Sequence, residues 1–337
     1  FNVSLENQVA TPDQIFQLAG CGITTAMTSG IGAQIAQCQG SVSDDGESKQ
    51  DTFRVDLRAN GFGDLGALAV IEGVLANKRV TSLDLSQNRL GSSSGEAAKV
   101  LLEKGNLTAL NISENPMGNK GVAAICRGVA DSSHLKELRM EKCGFDSVGA
   151  VALADALAEG AGGLKILSIS GNMIGTGVVP RQAAAHRAGA RGLIEQLAHH
   201  PQLQVLNLSW NSFGDSGAVG LLDAMRDIGI EQCSLQLLDL SASNLTERGA
   251  KALCELMMEC SQLMSLKLNH NPSIGFRGSL PFLRTKQAGE IDQIIFGRGV
   301  SAKPPPTRGA TERWRTVELR GCGCENLPLP MMTLRNS

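Results

Sequence analysis

Tyrosine is missing from this sequence, and aromatic residues of any kind are scarce: nine phenylalanines and two tryptophans in 337 residues. The core must therefore be aliphatic. No apolar run approaches the roughly 18–20 residues that a membrane-spanning helix needs, so no membrane span is expected. Neither sign of charge dominates either, with 31 basic and 33 acidic side chains and a net charge of −2. That balance argues against a nucleic-acid binder or a membrane anchor driven by bulk charge. What the chain does have is apolar content: 42% is enough for a sizeable core and too much for a disordered chain.

Length alone fits about two average domains, but an internal repeat overrides that prior. The segments beginning Leu83, Leu110, Leu138, Leu167, Leu206, Leu238 and Leu266 align as LxLxx followed by Asn, Cys or Ser. Most carry a further leucine three residues earlier, at Leu107, Leu135, Leu164, Leu203, Leu235 and Leu263. Weaker copies lie at Phe16–Cys21, Val55–Asn60, Ile291–Phe296 and Val317–Cys322. The spacing is mostly 27 to 29 residues. LxL alternation predicts a short strand with one buried face. The Asn after it turns the chain, and its amide can satisfy backbone groups that the turn leaves unpaired.

Each unit's second half predicts a helix with one apolar stripe at i, i+3, i+4 and i+7, as in Ala67-Val70-Ile71-Val74 and Ala218-Leu221-Leu222-Met225. A glycine precedes each stripe, at Gly66, Gly121, Gly149, Gly217 and Gly249, which lets the helix start pack against the turn. One strand and one helix cannot bury their apolar faces alone, so neighbouring units must stack into a solenoid.

The pattern LxxLxLxx(N/C) resembles the ribonuclease-inhibitor class of leucine-rich repeat. That resemblance implies an α/β leucine-rich repeat solenoid, a curved horseshoe with a parallel sheet on the concave face and helices on the convex face. It implies one array over residues 1–337 of about 10–11 repeats. Residues 52–290 form the regular core, with degenerate ends at 1–51 and 291–337.

Three stretches break the pattern. Residues 39–51 are polar and read as a solvated loop. Residues 178–191, which carry Pro180, Arg181, His186, Arg187 and Arg191, make one unit longer and read as a loop or extended helix on the convex side. The proline run Lys303-Pro304-Pro305-Pro306 stands where a helix should be and cannot occupy a helix interior. The chain opens on Phe1 without a signal peptide, and it reads as processed, truncated or excised from something larger.

No catalytic constellation is visible. The cysteines number nine; Cys21, Cys143 and Cys322 fall on the turn position, Cys126 and Cys254 on helix stripes, and Cys233 and Cys260 just before a repeat's opening leucine. Free buried cysteines fit a reducing compartment, hence the cytoplasm, with nucleus or cilium also open. Neither the His residues nor Cys322-Gly-Cys324 make a metal motif, and no metal or other cofactor is expected. The sequons at Asn111 and Asn207 lie in predicted strands, where glycosylation is not expected.

The residues between the leucines should point outward from the sheet. Seven of these are basic and seven acidic, a mixed face that suits a patterned protein partner better than a phosphate backbone. Trp210 is the most informative, because tryptophan is enriched among interface hot spots. With Asn207, Asp239, Lys267, Asn269 and His270 it forms the first expected partner-binding patch. A second, denser in charge, runs from Glu137 through Arg139 and Glu141 to Lys142 with Glu114. The leading expectation is a non-enzymatic interaction module: an adaptor, a scaffold or a subunit of a larger assembly. The alternatives are a GTPase-activating regulator similar to the Ran GTPase-activating proteins, or a sensing array similar to those of NOD-like receptors.

Overall fold

A computed structural model of the chain describes residues 14–38, 52–175, 183–295 and 315–323. The 39–51 stretch, the first part of the 178–191 insertion, the proline run, Cys324 and both termini lie outside these residues. The chain falls into two compact units, Phe1–Gly144 with Glu159–Leu164, and Phe145–Ala158 with Lys165–Ser337.

In the first unit, strand and helix alternate strictly. The order is β1 (Gln14–Gln17), α1 (Thr25–Gln37), β2 (Phe53–Asp56), α2 (Gly63–Ala76), β3 (Val80–Asp84), α3 (Ser92–Lys104), β4 (Ala109–Asn111), α4 (Gly118–Asp131) and β5 (Glu137–Arg139). All five strands are parallel and pair in sequence order. Register is set by the leucines: Val55, Leu83, Leu110 and Leu138 stand side by side, and each is at most 1% exposed. At roughly 1.5–3 kcal/mol for each fully buried aliphatic side chain, these rows are what hold a repeat to its neighbour. The helices carry the other wall of the core, and Ala67, Val70, Ile71 and Val74 of α2 are all buried.

Glycine sets how closely the helices approach. A Cβ on Gly73 of α2 would lie 2.2 Å from the carbonyl oxygen of Gly32 in α1, so backbone touches backbone there. The glycine before each stripe does what its position implies: Gly66 lies against Phe62, the residue that enters α2.

The second unit holds α5 (Ser147–Glu159), β6 (Ile166–Ser168), α6 (Ala183–His199), β7 (Val205–Asn207), α7 (Gly214–Ile228), β8 (Leu237–Asp239), α8 (Glu247–Glu259), β9 (Ser265–Lys267), α9 (Gly275–Gln287), β10 (Gln293–Ile295) and β11 (Thr316–Glu318). Leu167, Leu206, Leu238, Leu266 and Val317 form its buried row. The latter part of the 178–191 insertion is helix, because α6 begins at Ala183 and its Gly189 backbone packs on Ser147 of α5.

The end of this sheet departs from the sequential order that repeat stacking implies. β11 pairs with β9 on one side and β10 on the other, so the last strand sits between its two predecessors. The sequence explains why β11 takes that slot. Val317-Glu-Leu-Arg-Gly-Cys322 retains the buried pair and the turn residue of a regular repeat, with Val317, Leu319 and Cys322 each at most 1% exposed. Cys322 Sγ donates to the carbonyl of Leu268, as a regular repeat requires.

Candidate functional site

The geometry of the helix-free sheet face follows from how each strand ends. The turn asparagines form a ladder. Asn115 donates from Nδ2 to the carbonyls of Ile112 (2.8 Å) and Leu85 (3.0 Å), and its Oδ1 accepts the N–H groups of Asn88 (2.9 Å) and Leu90 (3.0 Å) in the preceding repeat. Asn271 repeats this in the second unit, reaching Leu240 and Leu268 and accepting from Ser243 and Leu245. Cys143 keeps the donor contact, with Sγ 3.4 Å from the Ile112 carbonyl, and burial raises its thiol to a pKa of about 12 against the opposing pull of the Asn115 N–H. Cys21, at the same position in the first repeat, is exposed, because among the described residues no repeat precedes it.

The residue just before each ladder position adopts a left-handed backbone. Ala59, Gln87, Glu114 and Lys142 do so in the first unit, and Trp210, Ala242 and His270 in the second, with φ between 49° and 59°. Such a conformation costs a non-glycine residue roughly 1–2 kcal/mol. The stack fixes it through hydrogen bonds: the Trp210 N–H donates to the Ser241 carbonyl at 2.8 Å, and the His270 N–H to that of Arg320 at 2.7 Å. The consequence is directional. These side chains are thrown off the strand line and out of the pleat.

Trp210 is thereby 61% exposed, and its indole tilts toward the imidazole of His270, with ring centroids 5.9 Å apart and planes at 37°. The two residues are two strands apart, with Ala242 between them. Lys267 and Asn269 lie beside them, half-buried. Asn269 is fixed by donating to Glu318 (3.0 Å) and accepting from the Arg320 N–H (2.9 Å). Thus Trp210, Lys267, Asn269 and His270 share one surface of the second unit.

Asn207 and Asp239 do not join them. Both lie on the sheet face in register with Lys267, but they are only 3% and 4% exposed, and one side-chain oxygen of each is engaged by its own turn. Asn207 Oδ1 accepts from the N–H and hydroxyl of Ser209, and Asp239 Oδ1 accepts from the N–H of Ser241. The same Asx turn recurs at Asp84 with Ser86 and at Asn111 with Ser113. The sequence carried this signal: an Asp or Asn two residues before a Ser, repeated in register, closes a strand locally. Burial raises the Asp239 carboxyl above its ordinary pKa, against the opposing pull of Ser241 and the Lys267 charge.

Arg139 and Glu141 lie on the first unit. Arg139 is ion-paired to Glu137, Lys142 to Glu114 at 3.3 Å and Arg58 to Asp56 at 3.3 Å. Lys142 and Glu114 are largely exposed, so that pair is worth little. Between the strands the Arg139–Glu137 and Arg58–Asp56 pairs border an open polar hollow of about 340 Å³, with Arg54, Arg58 and Arg139 around Asp84 and Asn111. Asp56 and Glu137 are recessed while Arg58 and Arg139 project, at 52% and 39% side-chain exposure. The Glu141 N–H donates to Ser113 Oγ. Among the described residues, no cluster of His, Cys, Asp and Glu is arranged to hold a metal ion. Nor is any helix among them long and apolar enough to cross a membrane.

A family profile described as leucine-rich repeat matches residues 76–97, 106–126, 131–154 and 199–222. The chain is 26% identical over 276 residues to the ribonuclease inhibitor of Mus musculus, a match covering 75% of this chain and 56% of that protein. It is 28% identical over 260 residues to the ribonuclease inhibitor of Sus scrofa, covering 76% and 51%. It is also 28% identical over 230 residues to the Tonsoku-like protein of Mus musculus, covering 65% of this chain and 16% of that one. The chain thus spans about half the length of the ribonuclease inhibitors it matches.

Proposed function

Since the chain is a leucine-rich repeat protein of the ribonuclease-inhibitor-like class, we propose that it is a non-enzymatic protein-interaction module that engages its partner through the Trp210–His270 surface of the second unit. The observation that carries this reading is the exposure of Trp210. A 61% exposed tryptophan, aimed outward by a costly backbone conformation and braced by a second ring, is expensive to keep in water. A partner that covers it recovers that cost. Lys267 and Asn269 supply the polar rim around the aromatic centre, the arrangement typical of hot spots. The partner chemistry that fits is a protein surface presenting an apolar side chain to the indole and an acceptor to Lys267. Arg139 and Glu141 belong to the same proposal as a separate contact region on the first unit.

Affinity capture from native extract tests the reading. The full chain, Trp210→Ala and a helix-face control, Leu65→Ala, are immobilised in parallel. A protein retained by the first and third and lost by Trp210→Ala supports the site. Equal retention by all three overturns it.

A further inference from the structure

We propose, on the reading of the chain as a protein-interaction module, that the polar hollow of the first unit docks an extended acidic segment of the protein partner, with carboxylates about four residues apart. The hollow is built by side-chain size. Across β2 to β5 the outward position before the buried row reads, in register, Arg54, Ser82, Ala109 and Glu137. Small side chains on β3 and β4 leave a floor between long ones on β2 and β5, and all four residues line the hollow. Three strand spacings of roughly 4.8 Å separate β2 from β5, so the two walls stand about 14 Å apart.

The walls offer donors where the floor has spent its acceptors. Arg54 is exposed, its Nε lies 3.4 Å from Ser82 Oγ, and among the described residues no carboxylate pairs with it. Arg139 uses its Nε on Glu137, and Arg58 one Nη on Asp56, which leaves their other guanidinium N–H groups unspent. Those two carboxylates are recessed and each is held by its own arginine. On the floor, Asp84 accepts from Ser86 with Oδ1 and from Asn111 with Oδ2, each at 2.9 Å. Guanidiniums and carboxylates are equal in number here, but the guanidiniums are the groups that project. An incoming carboxylate therefore meets forked donors at the rim, which can pair with it bidentately, while Asp84 keeps it off the floor.

The shape selects a chain over a free small molecule. A small ligand needs most of its surface enclosed, which a trough about 14 Å wide and open to solvent does not provide. An extended segment rises about 3.3 Å per residue, so about four residues carry it from Arg54 on β2 to Arg139 on β5. Side chains at i and i+4 of an extended segment point the same way, so both carboxylates reach a wall. Ser82 and Ala109 leave room for the backbone between them. A nucleic-acid strand fits less well, because its unbroken row of phosphates would also pass Asp56, Asp84 and Glu137.

The test measures fluorescence anisotropy of Gly/Ser peptides carrying a neutral dye, titrated with the full chain at low ionic strength. One peptide has two Glu four residues apart, a second has the two Glu adjacent, and a third has Gln in place of both. The spaced-Glu peptide should bind most tightly and weaken as salt is raised. Arg54→Gln and Arg139→Gln should each cost it about fivefold, the upper end for an exposed ion pair, while Leu65→Ala on the helix face should bind it like wild type. Equal binding of the Gln peptide, or unchanged affinity in either arginine variant, overturns the proposal. Equal binding of the adjacent-Glu peptide overturns the spacing, and tighter binding of oligothymidylate would make the hollow a phosphate-backbone site and overturns the acidic segment. The comparison among peptides uses the wild-type chain alone, so it does not depend on any variant folding. The probes carry no apolar side chain for Trp210, so failure here leaves the Trp210 capture experiment standing, and failure of that capture leaves this measurement standing.

Discussion

Replacing Asn115 by alanine isolates what the ladder does for the stack. The side chain is 1% exposed, so no solvent is positioned to take over its bonds. Its two acceptor contacts and its donor contacts do not count equally. The Leu85 carbonyl also accepts from Asn88 Nδ2 at 3.1 Å, and the Ile112 carbonyl from Cys143 Sγ, so both keep a partner. The N–H groups of Asn88 and Leu90 lose their ladder acceptor and would be left buried. At about 1–3 kcal/mol for each orphaned group, the expected loss is about 4 kcal/mol. Guanidinium unfolding followed by far-UV circular dichroism should show a lower midpoint with an unchanged slope. Asn271→Ala provides an internal replicate, since Asn271 accepts from Ser243 and Leu245 at 2.9 and 3.0 Å. A loss below about 1 kcal/mol in both variants would mean that the orphaned groups find other partners, and the reasoning would be wrong.

Trp210→Ala should weaken a purified partner by about 30- to 1,000-fold, the range of a 2–4 kcal/mol hot spot, with little change in thermal midpoint; isothermal calorimetry reads the first and scanning calorimetry the second. Asp239→Asn should stabilise the chain at neutral pH. The folded carboxyl titrates above its unfolded value, so Asp239 lowers stability progressively as pH rises from the unfolded pKa through the folded one, and the variant should show that loss removed in stability measured from pH 3 to 8. Asn207 occupies the equivalent position one repeat earlier and makes the same turn, so an amide fits there. Gly73→Ala drives a methyl into the backbone of α1 and should cost about 1–3 kcal/mol by thermal unfolding, whereas Gly192→Ala, with open space around it, should not.

The repeat was legible because its signal is redundant. Each LxL pair and each helix stripe states the same register several times, and every leucine so assigned is buried, from Leu83 to Leu268. The site was only half legible. Alternation places Asn207, Asp239 and Trp210 alike on the side away from the helices, but it cannot distinguish a side chain that folds back on its own strand end from one thrown outward by a left-handed backbone. The Asn-x-Ser and Asp-x-Ser pattern could have separated the first kind. Nothing local marks the second, since the residues there range from Ala242 to Trp210.

The insertion of β11 between β9 and β10 bears on how the molecule is made. In an ordinary repeat array each new coil docks on a finished surface as it leaves the ribosome. Here the slot beside β9 is still vacant when β10 emerges, and it stays so until residues 316–318 have been synthesised. The edge of β9 then waits, with its hydrogen-bonding groups bare, for a strand that arrives about twenty residues late. Assembly of this end cannot run in step with translation, and the stretch most open to mispairing during birth is Ser265–Lys267.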